Sequence, residues 1–368
     1  MPYASDELVA FANKVLATGG YQAKHAFLTT NAVLPPSGGI RLAEIGHAGA
    51  NFGTIVDNSY SKLKIDGAAN AVKFIRMRAN AKNEIGALTF TVKSAADLPT
   101  VVSRQGWIPI WWLPWQDRHI VKMKILDKTA NPTIAFGLGI APVANPELFF
   151  TAAINGCSVI AVGQTGAPSI YHGGLDGDQM VPRGANETTE DAWQRLVGRI
   201  GGGKNVQGVG KSEYVAELDP TVTEPNARFT VNTFKTTRDA DAFEQNLLQR
   251  GNLTNVSVSP FGMVFGLRDS AGDWSLVLVK NANVSYRRIS VTSTKRLFRS
   301  PKITQTVQGE VRQPRTYDQH GDILPANPNV AVATNQQAYN HCVALGFKPF
   351  FPGLGAIKMF DMNQIMVF

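Results

Sequence analysis

The stretch Thr151–Gly174, TAAINGCSVIAVGQTGAPSIYHGG, constrains the fold of this chain more than any other. It contains two short apolar runs that are separated by a turn at Gly163–Pro168. Runs of this length on either side of a glycine- and proline-containing turn are typical of a β-hairpin. Cys157 precedes the first run and His172 ends the second, 15 residues later. A hairpin returns its two ends to one edge, so the sequence predicts that this thiol and this imidazole meet.

A thiol beside an imidazole is the minimum requirement of a cysteine nucleophile, because the imidazole can hold the thiolate as one half of an ion pair. Gly156 and Gly173 add backbone freedom next to the two side chains, which suits close approach of a substrate. A second interpretation stays open. A lone cysteine commonly fills space in a core, and a histidine at the end of a strand is commonly a surface polar group.

The residues Ile154-Asn155-Gly156-Cys157, followed by an apolar strand and by Tyr171-His172, resemble the active-site hairpin of the cytotoxic necrotizing factor family. These bacterial toxins deamidate or transglutaminate a glutamine of Rho GTPases. The family has Leu-Ser-Gly-Cys and a histidine at the same separation, so Asn155 replaces its serine. The related Burkholderia lethal factor, whose cysteine and histidine are closer together, uses a threonine six residues before its cysteine, and Thr151 has that offset here.

The resemblance implies a catalytic role for Thr151 and Asn155 beside the pair of Cys157 and His172. Cys157 is then the nucleophile, and His172 is the base that later acts as the acid. Backbone N–H groups at Gly156–Ser158 are suitable donors to the oxyanion that forms when a thiolate attacks an amide. No metal and no cofactor is implied. The implied target is a glutamine in a host protein, most directly a Rho-family GTPase. A translation-initiation helicase, the target class of the lethal-factor relative, is the nearest rival.

Composition limits the remaining classes of protein. The chain has 368 residues, a net charge of +8 and 44% hydrophobic residues, which predicts a globular protein with a substantial core. Its two cysteines do not make a disulfide scaffold, and its basic residues do not form the dense runs of a nucleic-acid-binding arm. It lacks a Sec-type signal sequence and a long apolar segment. If the chain is a toxin, as the resemblance implies, we expect a monomer that leaves a bacterium by a route without a cleaved signal and acts in the host cytosol.

The sequence predicts an α+β fold with a central mixed or antiparallel β-sandwich that is flanked by helices. An N-terminal helical and loop extension is predicted over residues 1–60 and a catalytic α+β domain over residues 61–368. An antiparallel meander is predicted between Val256 and Phe298. Helices are predicted at six places, namely Ser5–Thr18, Asp66–Lys82, within Pro142–Phe150, Thr188–Val197, Ala240–Leu248 and Asn335–Leu345.

Two other stretches invite a functional interpretation. Four tryptophans in the nine residues from Trp107 to Trp115 suit a binding ledge, a loop that dips into a membrane, or a hydrophobic segment packed on a sheet, and we favour the packed segment. We expect its prolines to prevent regular strand pairing.

The glycine-rich Gly201–Ser212 ends in Gly-Lys-Ser, but Asn205 stands where a phosphate-binding loop needs glycine. We interpret it as a flexible loop near the site.

Two alternatives to the deamidase remain. A cysteine protease or an acyltransferase uses the same pair of side chains, because the sequence does not separate one amide substrate from another. A basic, loop-rich β-protein also suits a non-enzymatic role in binding or in a structural assembly, with Cys157 buried and unreactive.

Overall fold

The structure is a computed structural model. It describes residues 5–36, 61–65, 67–79, 84–85, 88–116, 119–174, 206–218, 234–249, 253–296, 299–308, 339–352 and 358–359. The predicted helix Thr188–Val197 and the predicted domain boundary near residue 60 lie outside these ranges.

The helices are α1 (Ser5–Thr18), α2 (Tyr21–Thr30), α3 (Ala68–Ala71) and α4 (Arg238–Gln249). The strands are β1 (Val33–Leu34), β2 (Ser61–Lys64), β3 (Val72–Ala79), β4 (Glu84–Ile85), β5 (Leu88–Lys93), β6 (Ile108–Leu113), β7 (His119–Lys124), β8 (Thr133–Ile134), β9 (Val143–Ala144), β10 (Leu148–Thr151), β11 (Ser158–Val162), β12 (Ser169–Gly173), β13 (Val206–Val209), β14 (Ala216–Leu218), β15 (Phe234–Thr236), β16 (Leu253–Arg268), β17 (Trp274–Arg296), β18 (Arg299–Gln308), β19 (Tyr339–Phe351) and β20 (Lys358–Met359).

Two β-sheets account for most of the described chain. The large sheet has the strand order β1-β5-β3-β6-β10-β16-β17-β19-β20, with β18 paired to β17 and β4 paired to β19. It is mixed, because β1 and β5, β6 and β10, and β4 and β19 are parallel while the other pairs are antiparallel. The small sheet has the order β13-β11-β12-β7-β2, and only its β2–β7 pair is parallel.

The two sheets pack face to face as a sandwich over one apolar core. Trp111 and Phe149 come to this core from the large sheet, and Val121, Val159 and Ile170 come from the small one. Such packing buries alternate residues of both inner faces. The predicted α+β sandwich with flanking helices is therefore confirmed.

The helices α1 and α2 cover the outer face of the large sheet. Leu8 and Leu16 of α1 and Phe27 of α2 are buried against residues such as Ile75 and Phe265 of that sheet. The predicted bounds of α1 are confirmed, because its apolar stripe recurs at helical spacing and Gly19 follows its end. The predicted helix Ala240–Leu248 is also confirmed as α4. It covers a more distant part of the large sheet with Ala240, Phe243 and Leu247.

Three of the predicted helices are wrong. Among the described residues of the predicted helix Asp66–Lys82, only Ala68–Ala71 is helical, and the chain then becomes strand β3 between β5 and β6. The predicted helix Asn335–Leu345 falls on strand β19, which pairs with β17. The predicted short helix in Pro142–Phe150 is replaced by β9 and β10. A central strand is buried on both faces, so its apolar residues, such as Phe74 and Ile75 of β3, need not alternate with polar ones, and the pattern does not distinguish a strand from a helix.

The tryptophan-rich stretch forms strand β6 in the middle of the large sheet. Trp111 and Trp112 are almost completely buried, and Trp107 is 9% exposed, so the buried interpretation is confirmed. The expectation that the prolines prevent regular pairing is wrong. Pro109 pairs with Phe74 of β3, while the pairing with β10 on the other side begins only at Trp111. The missing N–H of this proline is thus not needed by a partner strand.

Candidate functional site

The predicted hairpin is present, as strands β11 and β12 of the small sheet. The two strands are antiparallel, from Ser158 opposite Gly173 to Val162 opposite Ser169. The turn between them begins at Gly163, whose φ of +104° is in the region that glycine adopts without strain. Strand β13 flanks the hairpin on the side of β11 and strand β7 on the side of β12, so the hairpin lies inside the sheet.

The register places Cys157 and His172 on one face. His172 is directly opposite Val159, and Cys157 lies two residues before Val159 and belongs to the same buried cluster. Successive side chains of a strand point to opposite faces, so residues two apart share a face. The thiol and the imidazole are therefore diagonal neighbours on the inner face of the small sheet. Across an antiparallel pair, diagonal neighbours lie about 7–8 Å apart, and their Cβ atoms are somewhat closer.

Both side chains are buried. Cys157 is 9% exposed and His172 is completely buried. Within the described part of the chain, neither ring nitrogen of His172 has a hydrogen-bond partner. The imidazole is therefore not hydrogen bonded to the thiol of Cys157, to the hydroxyl of Thr151 or to the amide of Asn155. Burial lowers the pKa of His172 from 6.5 to about 3, so the ring is neutral near pH 7.

Tyr214 holds the backbone on both sides of the cysteine. Its hydroxyl accepts a hydrogen bond from the N–H of Gly156 at 2.9 Å and donates one to the carbonyl oxygen of Cys157 at 2.7 Å. Gly156 has a φ of +98°, a conformation in which a side chain would be strained. The buried phenol thus satisfies two backbone groups at this bend.

The segment before the cysteine is also fixed to the large sheet. The N–H of Ile154 donates to the carbonyl oxygen of Gly262 at 3.1 Å, and the N–H of Gly262 donates to the carbonyl oxygen of Ile154 at 2.9 Å. A Cβ atom at Gly262, in strand β16, would lie 2.6 Å from Ile154 and 2.9 Å from Tyr214. Only glycine fits there without a shift of its neighbours. Cys157 therefore lies where the chain passes from the large sheet to the small one.

The other predicted site residues have different surroundings. Thr151 is buried in β10, and its hydroxyl donates to the carbonyl oxygen of the next residue, Ala152, at 2.8 Å. Asn155 is exposed at the bend. Ser158 is the first residue of β11 and is buried. The N–H of Gly156, predicted as an oxyanion donor, is engaged by Tyr214 in this structure.

The glycine-rich segment that resembles a phosphate-binding loop has another role. Its described part forms strand β13, which pairs with β11 beside the cysteine, followed by a 3-10 turn at Lys211–Glu213. Glu213 accepts a hydrogen bond from the N–H of Gly210 and forms an ion pair with Lys348 of β19. These contacts fix the turn that delivers Tyr214 to the cysteine. No motif in the sequence identifies Tyr214, because it lies 57 residues beyond the cysteine and reaches it only through this strand pairing.

The arrangement provides a thiol, a neutral imidazole and a fixed backbone in a closed, apolar setting. Among the described residues, no group of three or more His, Cys, Asp or Glu side chains could hold a metal ion. Cys157 and Cys342 do not form a disulfide. The helices within the described ranges are all too short or too polar to cross a bilayer.

A scan of the sequence against protein-family models finds no match, and a search of curated proteins finds no relative.

Proposed function

We propose that this chain is a cysteine-dependent glutamine deamidase in which Cys157 is the nucleophile and His172 is the general base. The observation that carries the proposal is the register of β11 and β12, which sets a thiol and an unpartnered imidazole on one face of one hairpin. A buried polar side chain without a hydrogen bond destabilises a fold, so its presence beside a thiol favours a chemical role over a structural one.

The chemistry follows from these two groups. His172 takes the proton of the thiol, and the thiolate attacks the carbon of the carboxamide to form a tetrahedral oxyanion. The C–N bond then breaks, the imidazolium returns its proton to the departing ammonia, and a thioester remains. Water hydrolyses the thioester to a carboxylate, which converts glutamine to glutamate. An amine that replaces this water gives a transglutaminated product, which is the second outcome that the resemblance implies.

The closed setting defines the resting state. With a pKa of about 3, the imidazole of His172 does not hold a proton at neutral pH, so the resting pair is a neutral thiol and a neutral ring. A thiolate formed at Cys157 raises the pKa of this imidazole, because an adjacent negative charge favours the imidazolium. The substrate carboxamide reaches the sulfur only when residues that cover it move. We therefore expect Cys157 to react with small thiol reagents more slowly than an exposed thiolate but, with His172 as its base, faster than the buried Cys342, and to react fastest with the correct protein target.

The target class rests on the resemblance of Ile154–Cys157 and Tyr171-His172 to the toxin family. It favours a bacterial effector whose substrate is a glutamine of a host Rho-family GTPase. The initiation helicase and a peptide bond, as in a cysteine protease, are the rival substrates.

Mass spectrometry of host-cell lysate treated with the purified chain tests the proposal. Deamidation adds about one dalton to an intact target, because the thioester is hydrolysed to an acid. We expect this conversion with the wild-type chain and not with Cys157→Ser or His172→Ala. Cys342→Ser is the matched control, since it removes the other buried thiol from a different sheet, and it should retain activity. Cleaved fragments would indicate a protease instead, and no modified protein with any variant would contradict an amide-directed enzyme.

The burial of both side chains favours a second candidate, a non-enzymatic binding or structural protein. In that case Cys157 is only a space-filling residue of the sandwich core. A thiol-reactive probe at neutral pH discriminates between the two. In a non-enzymatic protein Cys157 and Cys342 should label at similar slow rates, whereas a nucleophilic Cys157 should label faster than Cys342 and lose this advantage in His172→Ala.

A further inference from the structure

A cavity of about 550 Å³ lies at the start of helix α2, where the helix meets the turn that joins β16 to β17. Tyr21 and Gln22 of α2 contribute to its wall, and so do Arg268, Asp269 and Ser270 of the turn. A cavity of this volume is within the range that holds small molecules.

The start of α2 supplies hydrogen-bond donors to this cavity. Its N-cap is Gly20, no side chain caps the helix, and no acidic residue lies in its first turn. The first N–H groups of a helix have no partner within the helix and form the positive end of its dipole. Because Tyr21 and Gln22 are the first two residues of α2 and line the cavity, this end of the helix favours an anionic group there.

Arg268 supplies a second donor. It is 3% exposed, and its Nη1 and Nη2 are hydrogen bonded to Asn145 and Leu126, whereas Nε has no partner among the described residues. In the planar fork of the guanidinium, Nε–H lies on the same edge as Nη2. That edge faces Leu126, two residues before Lys128 of the cavity wall. A buried N–H without an acceptor destabilises a fold, so it indicates an acceptor that the cavity receives from outside the chain.

Two carboxylates that line the cavity supply acceptors of the opposite charge. Oδ1 of Asp269 accepts two N–H groups of its own turn, and its Oδ2 makes no hydrogen bond within the described ranges. Oε1 of Glu147 accepts a hydrogen bond from Lys128 at 2.6 Å. The other oxygen, Oε2, lies 3.9 Å from Nζ of Lys24, which is beyond hydrogen-bond distance.

These charges of both signs limit the class of ligand. The two carboxylates repel a simple anion, and Arg268, Lys128 and the positive end of α2 repel a simple cation. A small molecule that carries one anionic and one cationic group satisfies both sets. The ring of Tyr21, which stacks on His25 with 6.2 Å between the ring centres, adds a flat apolar surface for the rest of such a molecule.

We propose that this cavity binds a free α-amino acid. The ligand carboxylate accepts hydrogen bonds from the start of α2 and from Nε of Arg268, and the ligand ammonium donates to Asp269 and Glu147. Both charged groups of an α-amino acid are attached to one carbon atom, which suits donors and acceptors that share one small cavity. This site does not depend on the deamidase chemistry proposed for Cys157.

Thermal unfolding of the full chain in the presence of each proteinogenic amino acid, at millimolar concentration, tests the proposal. A ligand that binds only the folded state raises the melting temperature as its concentration rises. We expect such a rise with at least one amino acid, and little or none with the 2-hydroxy acid or the decarboxylated amine that has the same side chain. No rise with any amino acid, or an equal rise with either analogue, would overturn the proposal.

Gln22→Glu separates binding from folding. It places a negative charge in the first turn of α2, which stabilises the helix but repels the ligand carboxylate, so the dissociation constant measured by titration calorimetry should rise about threefold. Gln245→Glu is the matched control, because it makes the same change at an exposed position of α4, and it should bind as the wild type does. Equal affinities of these two variants would contradict a carboxylate at the start of α2.

Asp269→Asn tests the other end of the ligand. Asparagine keeps the oxygen that caps the turn but removes the charge that faces the ammonium. We expect affinity for the amino acid to fall about tenfold, because a hydrogen bond to a charged group is lost. Unchanged affinity would show that the ammonium is not bound at Asp269 and would overturn the assignment.

Discussion

Two buried polar regions of this molecule are built in opposite ways. At the end of β16, the guanidinium of Arg268 donates to Oδ1 of Asn145 at 2.9 Å and to the carbonyl oxygen of Leu126 at 2.7 Å, and it lies over the ring of Trp274. In the small sheet, His172 is completely buried, and no described residue offers a hydrogen bond to either of its nitrogens.

The two regions differ in what their buried polar groups contribute to stability. A buried polar group that is well hydrogen bonded fixes the arrangement of a core. A buried group without partners has a desolvation penalty of about 1–3 kcal/mol and returns nothing to stability. The Arg268 cluster, in which Nη1 and Nη2 are hydrogen bonded and only Nε lacks a partner among the described residues, therefore has the properties of a structural device, whereas His172 fits the reacting role that we propose for it. Four predictions test this distinction.

The largest effect should come from Arg268. Replacing it by Met removes two charge-assisted hydrogen bonds and leaves Asn145 and Leu126 with fewer partners, so we expect a loss of about 3–4 kcal/mol in the free energy of unfolding. Urea denaturation provides the measurement. Lys128→Met is the control, because Lys128 forms an exposed ion pair with Glu147 and such pairs contribute less than about 1 kcal/mol. Equal effects of the two substitutions would remove the structural role assigned to Arg268.

Substitution of His172 should change the free energy of unfolding in the opposite direction. His172→Leu removes two unsatisfied nitrogens and no hydrogen bond, so at neutral pH we expect unchanged or greater stability, by about 1 kcal/mol, together with loss of activity. A destabilised His172→Leu variant would mean that the imidazole has partners in solution.

The same substitution carries a pH signature. The pKa of His172 is about 3 when folded and 6.5 ordinarily, because burial disfavours the imidazolium. The unfolded chain therefore binds the extra proton between these values. The contribution of this group to stability is complete above pH 6.5 and is lost as the pH falls toward 3, at up to about 1.4 kcal/mol per pH unit. Urea titrations from pH 7 to pH 4 should show a steeper decline for the wild type than for His172→Leu. Parallel curves would contradict this assignment.

Two buried tyrosines of the small-sheet region give the smallest and most closely matched test. The hydroxyl of Tyr214 makes two backbone hydrogen bonds beside Cys157, whereas that of Tyr171 has no hydrogen-bond partner among the described residues. We expect Tyr214→Phe to lower the free energy of unfolding by about 2 kcal/mol and Tyr171→Phe to leave it unchanged or slightly raised.

The rate of thiol labelling adds a local measurement to this pair. Tyr214→Phe releases the peptide groups on both sides of Cys157, so the thiol should react faster with a small probe than in Tyr171→Phe. If Tyr171→Phe had the larger effect on either quantity, Tyr214 would not be the residue that positions the cysteine.

Much of the local structure is encoded in short stretches of sequence. The apolar stripe of Ser5–Thr18 and the glycine that follows it determine α1. The two β-branched runs on either side of Gly163 determine the hairpin that carries Cys157 and His172. In each case the residues that decide the structure lie within a few positions of one another, so the pattern is visible without a tertiary context.

Other features depend on which elements become neighbours. Val72–Ala79 and Tyr339–Phe351 are strands because partner strands satisfy their backbone groups, and no local pattern distinguishes them from helices. The contact of Tyr214 with the cysteine and the complete burial of His172 likewise arise only in the folded chain. Hydrogen bonding and desolvation between residues far apart in sequence are set by packing, and packing is the information that a linear pattern does not contain.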